Sequence, residues 1–174
     1  MTHHKKVVFI IANEGFQPVE FNIPKKLLEQ SGIIVQTASN RLAPAIAKDG
    51  STAHVNYLVK NIPVESIDGL FIVGGPGTME NLNNADTYKI LKEAVAKKIK
   101  IGAICIAPRI LAAAGILEGK QATGWNGDNE LAGIFKQHGV FYKAQDVVRD
   151  EDVVTATGPD AAREYGEQII SMLD

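Results

Sequence analysis

The sequence predicts an α/β protein with a mostly parallel central sheet and helices on both faces of that sheet. Short continuous apolar runs, such as residues 7–11 and 101–104, are typical of strands buried on both faces. Segments with helical apolar spacing separate these runs, as in residues 86–98, where Ile90, Leu91, Ala94 and Val95 form one face. This alternation favours a parallel sheet covered on both sides by helices.

The elements follow one another along the whole chain. The predicted strands are residues 7–11, 33–38, 66–73, 101–104, 121–125, 147–149 and 153–156. The predicted helices are residues 19–31, 86–98, 108–114, 128–137 and 158–173. Residues 13–18 are predicted as a loop, Asp49-Gly50 as the turn of a small β-hairpin, and residues 150–152 as the turn of another hairpin.

Composition narrows the class of protein. The 174 residues suggest one domain, 1–174, and 18 basic against 20 acidic residues give no reason to expect a nucleic-acid partner or an anionic membrane. Charges interrupt the longest apolar stretch, so no membrane span is expected. The lone cysteine fits a reducing compartment, and we expect a cytoplasmic protein. The basic start followed by an apolar run is interpreted as a first strand, with His3 and His4 solvated and no metal bound.

That cysteine, Cys105, lies where a predicted strand passes into a helix within three residues. Pro108 suits the first turn of the helix that follows. Unpaired N–H groups and the positive end of the helix dipole favour a thiolate at such a position, so the sequence predicts a lowered thiol pKa. The alternative is that Cys105 is a small buried apolar residue.

Further stretches accompany this turn: VEFNIP at residues 19–24, FIVGGPGTMENL at 71–82, AICIAPRILAAAGIL at 103–117 and TATGPDAAREYG at 155–166. As a set, and in this order, they resemble the ThiJ/PfpI (DJ-one/PfpI) superfamily. The resemblance implies a flavodoxin-like doubly wound sandwich that forms a homodimer or a higher homo-oligomer and needs no cofactor.

The resemblance also implies roles for particular residues. Cys105 resembles the family nucleophile, and Glu20 resembles the carboxyl that contacts its sulfur. The backbone N–H groups of Gly75, which follows Gly74, and of Ile106 resemble the oxyanion hole. Two acidic groups in one confined place titrate as a coupled pair, so Glu20 is expected to hold a proton and shuttle it.

Two family histidines have no counterpart at the matching positions. Ile106 stands where the PfpI branch has histidine, and Trp125 or Asn126 stands where the DJ-one branch has it. Other candidates near the pocket are left open. Glu14 either lines the mouth or is solvated, Arg109 either binds an anionic substrate or pairs with an acid, and Asp128 either lies near the pocket or caps a helix. His54 and His138 are the remaining histidines of the folded region.

Three functions compete at this stage. The first, resting on the resemblance, is a glyoxalase or deglycase in which Cys105 attacks a small reactive carbonyl or a glycated adduct. The second is an intracellular cysteine peptidase or amidase, which Ile106 weakens because amide hydrolysis needs a base. The third is a redox sensor or chaperone that uses oxidation of Cys105.

Overall fold

A seven-stranded sheet forms the centre of the molecule and is mostly parallel, as predicted. The structure is a computed structural model that describes residues 4–174; the prediction for His3 falls outside these residues. In spatial order the strands are β11 (Val147–Asp150), β12 (Val153–Ala156), β8 (Lys100–Ile104), β7 (Gly69–Ile72), β1 (Lys6–Ile10), β3 (Ile34–Ser39) and β6 (Tyr57–Leu58). All neighbours pair in parallel except β11 and β12, which form an antiparallel hairpin.

The helices cover both faces, because alternate residues of each strand point to opposite sides. They are α1 (Pro18–Gln30), α2 (Thr78–Leu82), α3 (Ala85–Ala96), α4 (Pro108–Ala113), α5 (Leu131–Gln137) and α6 (Ala162–Leu173). In β1, Val8 and Ile10 face the core formed with α3, α4 and α5, whereas Val7 and Phe9 face the core formed with α1 and α6. The doubly wound flavodoxin-like arrangement is therefore confirmed.

The predicted hairpin at Asp49-Gly50 is also confirmed, although it belongs to a small separate sheet. Strands β4 (Ala45–Ala47) and β5 (Thr52–Ala53) pair antiparallel across the turn. The prediction of a loop at residues 13–18 is wrong in part, since β2 (Glu14–Phe16) pairs in parallel with β4. Three residues are too few for alternation to reveal a strand, and its partner is distant in sequence.

Further elements differ from the sequence prediction. The strand predicted over residues 66–73 is only β7, the helix predicted from residue 158 begins as α6 at Ala162, and β6 and α2 were not predicted. The helix predicted over residues 128–137 is α5, which begins only at Leu131, because Asp128 and Asn126 use their side chains to turn the preceding loop. The predicted strand at residues 121–125 is only β9 (Gln121–Ala122), which pairs with β10 (Phe141–Tyr142). No helix within residues 4–174 is long and apolar enough to cross a membrane.

Candidate active site

Cys105 sits at a strained backbone position between β8 and α4. Its φ is +63°, a left-handed conformation that residues other than glycine rarely adopt. The backbone is held on both sides: the N–H of Cys105 donates to Ala156 O at 2.9 Å, and its carbonyl accepts from the N–H of Trp125 at 2.7 Å. Strain held by surrounding bonds is common at functional sites, and here it turns the half-buried thiol toward solvent above the sheet.

Glu20, on helix α1, lies next to Cys105. It is fully buried in the first turn of α1, where its Oε2 accepts a hydrogen bond from the N–H of Gly74 at 2.9 Å. The same carboxyl lies beside Cys105, whose thiol acts on its pKa. Gly74 has to lack a side chain, because a Cβ there would lie 2.5 Å from Cys105 Cβ and 2.6 Å from Glu20 Oε2.

Two backbone N–H groups also lie near the sulfur. Those of Gly75 and Ile106 favour the charged form of the Cys105 thiol. Gly75 adopts a φ of +129°, which a residue with a side chain would rarely tolerate. The four residues named by the resemblance therefore line one cavity around the thiol, and an oxyanion formed next to the sulfur would lie near both N–H groups.

The pKa values of Glu20 and Cys105 contradict one prediction made from the sequence. Burial raises the pKa of Glu20 from 4.5 to about 7, against its hydrogen bonds to Cys105 and Gly74. Burial, followed by the charge and the hydrogen bond of Glu20, raises the pKa of Cys105 to about 12. The predicted lowering of the thiol pKa is therefore wrong. The N–H groups of Ile106 and Gly75 do favour the thiolate, but less than burial and the adjacent carboxylate oppose it.

An open cavity of about 330 Å³ lies above the thiol. Its lining residues come from six separate parts of the chain: Gln17, Glu20, Lys48, Gly75, Pro76, Cys105, Ile106, Trp125 and Pro159. Sequence reasoning missed Lys48, because only the hairpin of the small sheet brings it to the cavity. Pro159 lies in the TATGPDAAREYG stretch that carried the resemblance, so a signal for that segment was present.

Arg109 does not line this cavity, and of its two predicted roles the structure supports pairing with an acid. Its Nη2 donates to Asp128 Oδ1 at 2.8 Å and to the carbonyl of Trp125 at 3.4 Å. The guanidinium also lies over the Trp125 ring, 5.5 Å from the ring centroid. The hydrogen bond from Arg109 holds the pKa of Asp128 below its ordinary value. Asp128 thus anchors a loop and is not the first-turn cap of a helix.

Trp125 and Asn126, the two residues that match the position of the DJ-one-branch histidine, have different positions in the structure. Trp125 lines the cavity, whereas the Asn126 side chain accepts from the N–H of Leu131 at 3.0 Å and shapes the start of α5. Glu14 is exposed and pairs with Arg41 at 3.1 Å, so it does not line the cavity.

The histidines lie elsewhere. His54 lines a different surface depression beside Leu42, and His138 ends helix α5. Among the described residues, no histidine lines the cavity at Cys105 and no group of three or more His, Cys, Asp or Glu residues is placed to bind a metal ion.

Known proteins are similar to this chain in both sequence and fold. The DJ-1/PfpI family profile matches residues 5–172. An uncharacterized protein of Methanocaldococcus jannaschii is 31% identical over 97% of this chain and 82% of its own length. A glutathione-independent glyoxalase of Caenorhabditis elegans is 24% identical over 100% of this chain and 91% of its own length. The crystal structure of a ThiJ/PfpI domain protein from Brachyspira murdochii superposes with a TM-score of 0.92 at 21% identity, covering 98% of this chain and 96% of that one.

Fold and site together define a class of protein: an α/β sandwich with a cysteine at a strand–helix elbow and a buried carboxyl against its sulfur. The chain belongs to the DJ-1/PfpI family. The resemblance noted in the sequence is confirmed.

Proposed function

We propose that this protein is a cofactor-free enzyme in which Cys105 attacks a small reactive carbonyl, with glyoxalase-type conversion of a 2-oxoaldehyde as the leading reaction. The observation that carries the proposal is the buried carboxyl of Glu20 beside the half-buried thiol of Cys105 in an open cavity. The relative named as a glutathione-independent glyoxalase supports the same reaction class. A homodimer remains part of the proposal, as the resemblance implies.

The pair supplies nucleophile and base from two neighbouring groups. With a pKa of about 7, Glu20 is present as both acid and carboxylate near neutral pH. In the carboxylate form it takes the thiol proton while the sulfur bonds to the aldehyde carbon, which removes the need for a free thiolate beforehand. The carbonyl π electrons move to oxygen, and the N–H groups of Gly75 and Ile106 stabilise the alkoxide.

The remaining steps need only proton movement and water. The alkoxide is protonated to a hemithioacetal, a proton leaves C1, and a proton is added at C2, so C1 is oxidised to a thioester while C2 is reduced to an alcohol. Water then cleaves the thioester, which releases a 2-hydroxycarboxylate and restores the thiol. The sum is one 2-oxoaldehyde and one water giving one 2-hydroxy acid, and Glu20 carries the protons between positions.

A peptidase is less favoured because amide cleavage requires an acid for the leaving nitrogen and a base for water. Ile106 and Trp125 occupy the cavity wall, and of the described residues no histidine does so. A peroxide-sensing role is also less favoured, because thiolate character promotes oxidation and the thiol pKa here is raised to about 12.

The test is turnover of methylglyoxal to lactate by the wild type, Cys105→Ser and Glu20→Gln. We expect turnover in the wild type, none with Cys105→Ser, and a loss of at least about 100-fold in kcat with Glu20→Gln, which keeps the shape but cannot accept the proton. Wild-type turnover unaffected by either change would remove both residues from the mechanism. Cleavage of a peptide panel, run beside it, would favour the peptidase.

A further inference from the structure

Lys48 is held at the rim of the cavity by the small sheet. It directly follows β4, and its N–H donates to the carbonyl of Phe16 at 2.9 Å. The turn beyond it is closed by the N–H of Gly50 donating to Ala47 O at 2.9 Å. The backbone is therefore fixed, and the side chain lines the same cavity as Cys105.

No acid in the described part of the chain forms an ion pair with Lys48 within 4.0 Å. The neighbouring Asp49 is engaged elsewhere: its Oδ1 accepts from the N–H and the hydroxyl of Ser51 at 2.9 and 2.6 Å. Lys48 is thus an exposed residue of the cavity lining whose ammonium has no fixed counter-ion. Its field reaches the base of the cavity, because it lowers the pKa of Glu20 against the effect of burial.

The other walls would not attract a charge. Ile106, Pro76, Trp125 and Pro159 present apolar surface, and Lys48 is the single cation among the residues that line this cavity. A substrate with its aldehyde at Cys105 and an anionic group at its other end would place that group near Lys48. One ammonium suits a monoanion, and the ionised form of Glu20 nearby disfavours a dianion such as a phosphate ester.

We propose that Lys48 forms an anion subsite, so that the substrate is a 2-oxoaldehyde with a carboxylate at its far end. The substrate class rests on the carbonyl chemistry proposed above, whereas the subsite itself rests on the position of Lys48. A cavity of about 330 Å³ has room for a chain of about five carbons.

The first experiment compares kcat/KM for 4,5-dioxopentanoate and for methylglyoxal, which carries no charge. Lys48 also affects the pKa of Glu20, so removing its charge changes kcat/KM for both substrates. Only the ratio of the two kcat/KM values reports on the anion subsite. We expect the ratio of carboxylate to neutral substrate to fall about 3–5-fold in Lys48→Met and to be largely restored in Lys48→Arg. Lys92→Met, an exposed change on α3 away from the cavity, should leave the ratio as in the wild type. An unchanged ratio in Lys48→Met overturns the proposal.

The second experiment needs no turnover. Iodoacetate and iodoacetamide alkylate the same sulfur with loss of iodide and differ in charge, so the intrinsic reactivity of Cys105 cancels in the ratio of their rates. This ratio should fall about 3-fold in Lys48→Met and remain unchanged in Lys92→Met. If no carbonyl is turned over but the ratio depends on Lys48, the subsite stands and the proposed function fails. If carbonyls are turned over and the ratio is the same in Lys48→Met as in the wild type, the subsite is overturned and the proposed function stands.

Discussion

The guanidinium of Arg109 lies over the indole ring of Trp125 and donates to the carbonyl of the same residue. The backbone N–H of Trp125 also donates to the carbonyl of Cys105. Because Trp125 lines the cavity, Arg109 holds this part of the cavity wall next to the backbone of the nucleophile. A residue that faces away from the cavity thereby shapes it.

Replacing that arginine should loosen the wall. Arg109→Met keeps the apolar stem but leaves Asp128 without its partner, and we expect a lower free energy of unfolding. Trp125 is the only tryptophan, so its fluorescence reports the loop directly, and acrylamide quenching should rise. Arg163→Met, an exposed change on α6, serves as the control and should leave quenching unchanged. Quenching equal to wild type in Arg109→Met would mean that the stacking does not hold the indole.

The Gly74→Ala variant tests how tightly the side chains of Cys105 and Glu20 are packed. A methyl group there overlaps Cys105 Cβ and Glu20 Oε2, so we expect a loss of about 1–3 kcal/mol and of carbonyl turnover. Gly133→Ala, within α5, meets no atom within 4 Å and should raise stability by about 0.5–1 kcal/mol. Urea unfolding measures both. A Gly74→Ala protein as stable and active as the wild type would show that the two side chains have room to separate.

The raised pKa of Glu20 predicts the sign of a pH effect on stability. The folded state holds the Glu20 proton up to a pKa of about 7, whereas the unfolded state releases it near 4.5. Folding stability from this group is therefore complete below 4.5 and is lost as pH rises to 7, by about 3 kcal/mol. Glu20→Gln does not ionise, so its stability relative to wild type should increase between pH 4.5 and pH 8. A constant difference in urea midpoints across that range would contradict the assignment.

The pH dependence of Cys105 alkylation tests the raised pKa of the thiol. With the pKa raised to about 12, the rate with iodoacetamide should keep rising beyond the free-thiol value of about 8.5. Glu20→Gln removes the negative charge beside the sulfur, so its inflection should move to lower pH. An inflection below 8.5 in the wild type would restore the sequence prediction of an activated thiolate.

Ile106→His would add the base that the peptidase branch places there. Ile106 is only half-buried and lines the cavity, so the imidazole has access to solvent and we expect a stability change below about 1 kcal/mol. A protonated imidazole near the sulfur should lower the thiol pKa. New peptide cleavage would indicate a peptidase site that lacked only its base. A lowered pKa without peptide cleavage would favour carbonyl chemistry, and an unmoved pKa would mean that residue 106 does not act on the sulfur.

The features predicted best from the sequence are those that neighbouring residues determine. The strand–helix elbow at Cys105 and the turn at Asp49-Gly50 follow from neighbouring residues, so both were visible in advance. The approach of Lys48 to the cavity was not, because it depends on how a small sheet folds over the main one. The direction of the thiol pKa was wrong for a related reason: local geometry indicates the N–H donors, but only the packed structure shows how far Cys105 and Glu20 are removed from water.

The two borders of the central sheet affect how the protein behaves when crowded. On one side β6 is only two residues long, and on the other β11 carries Arg149 and Asp150 and turns back antiparallel on β12. Neither border offers a long, flat, uncharged row of amides to a stray strand, because β11 carries charges and β6 leaves only residues 34–36 of β3 unpaired on their outer side. Growth of fibrils by strand addition is therefore disfavoured at both borders, and the strained turn at Cys105 follows β8, which lies inside the sheet and away from either border.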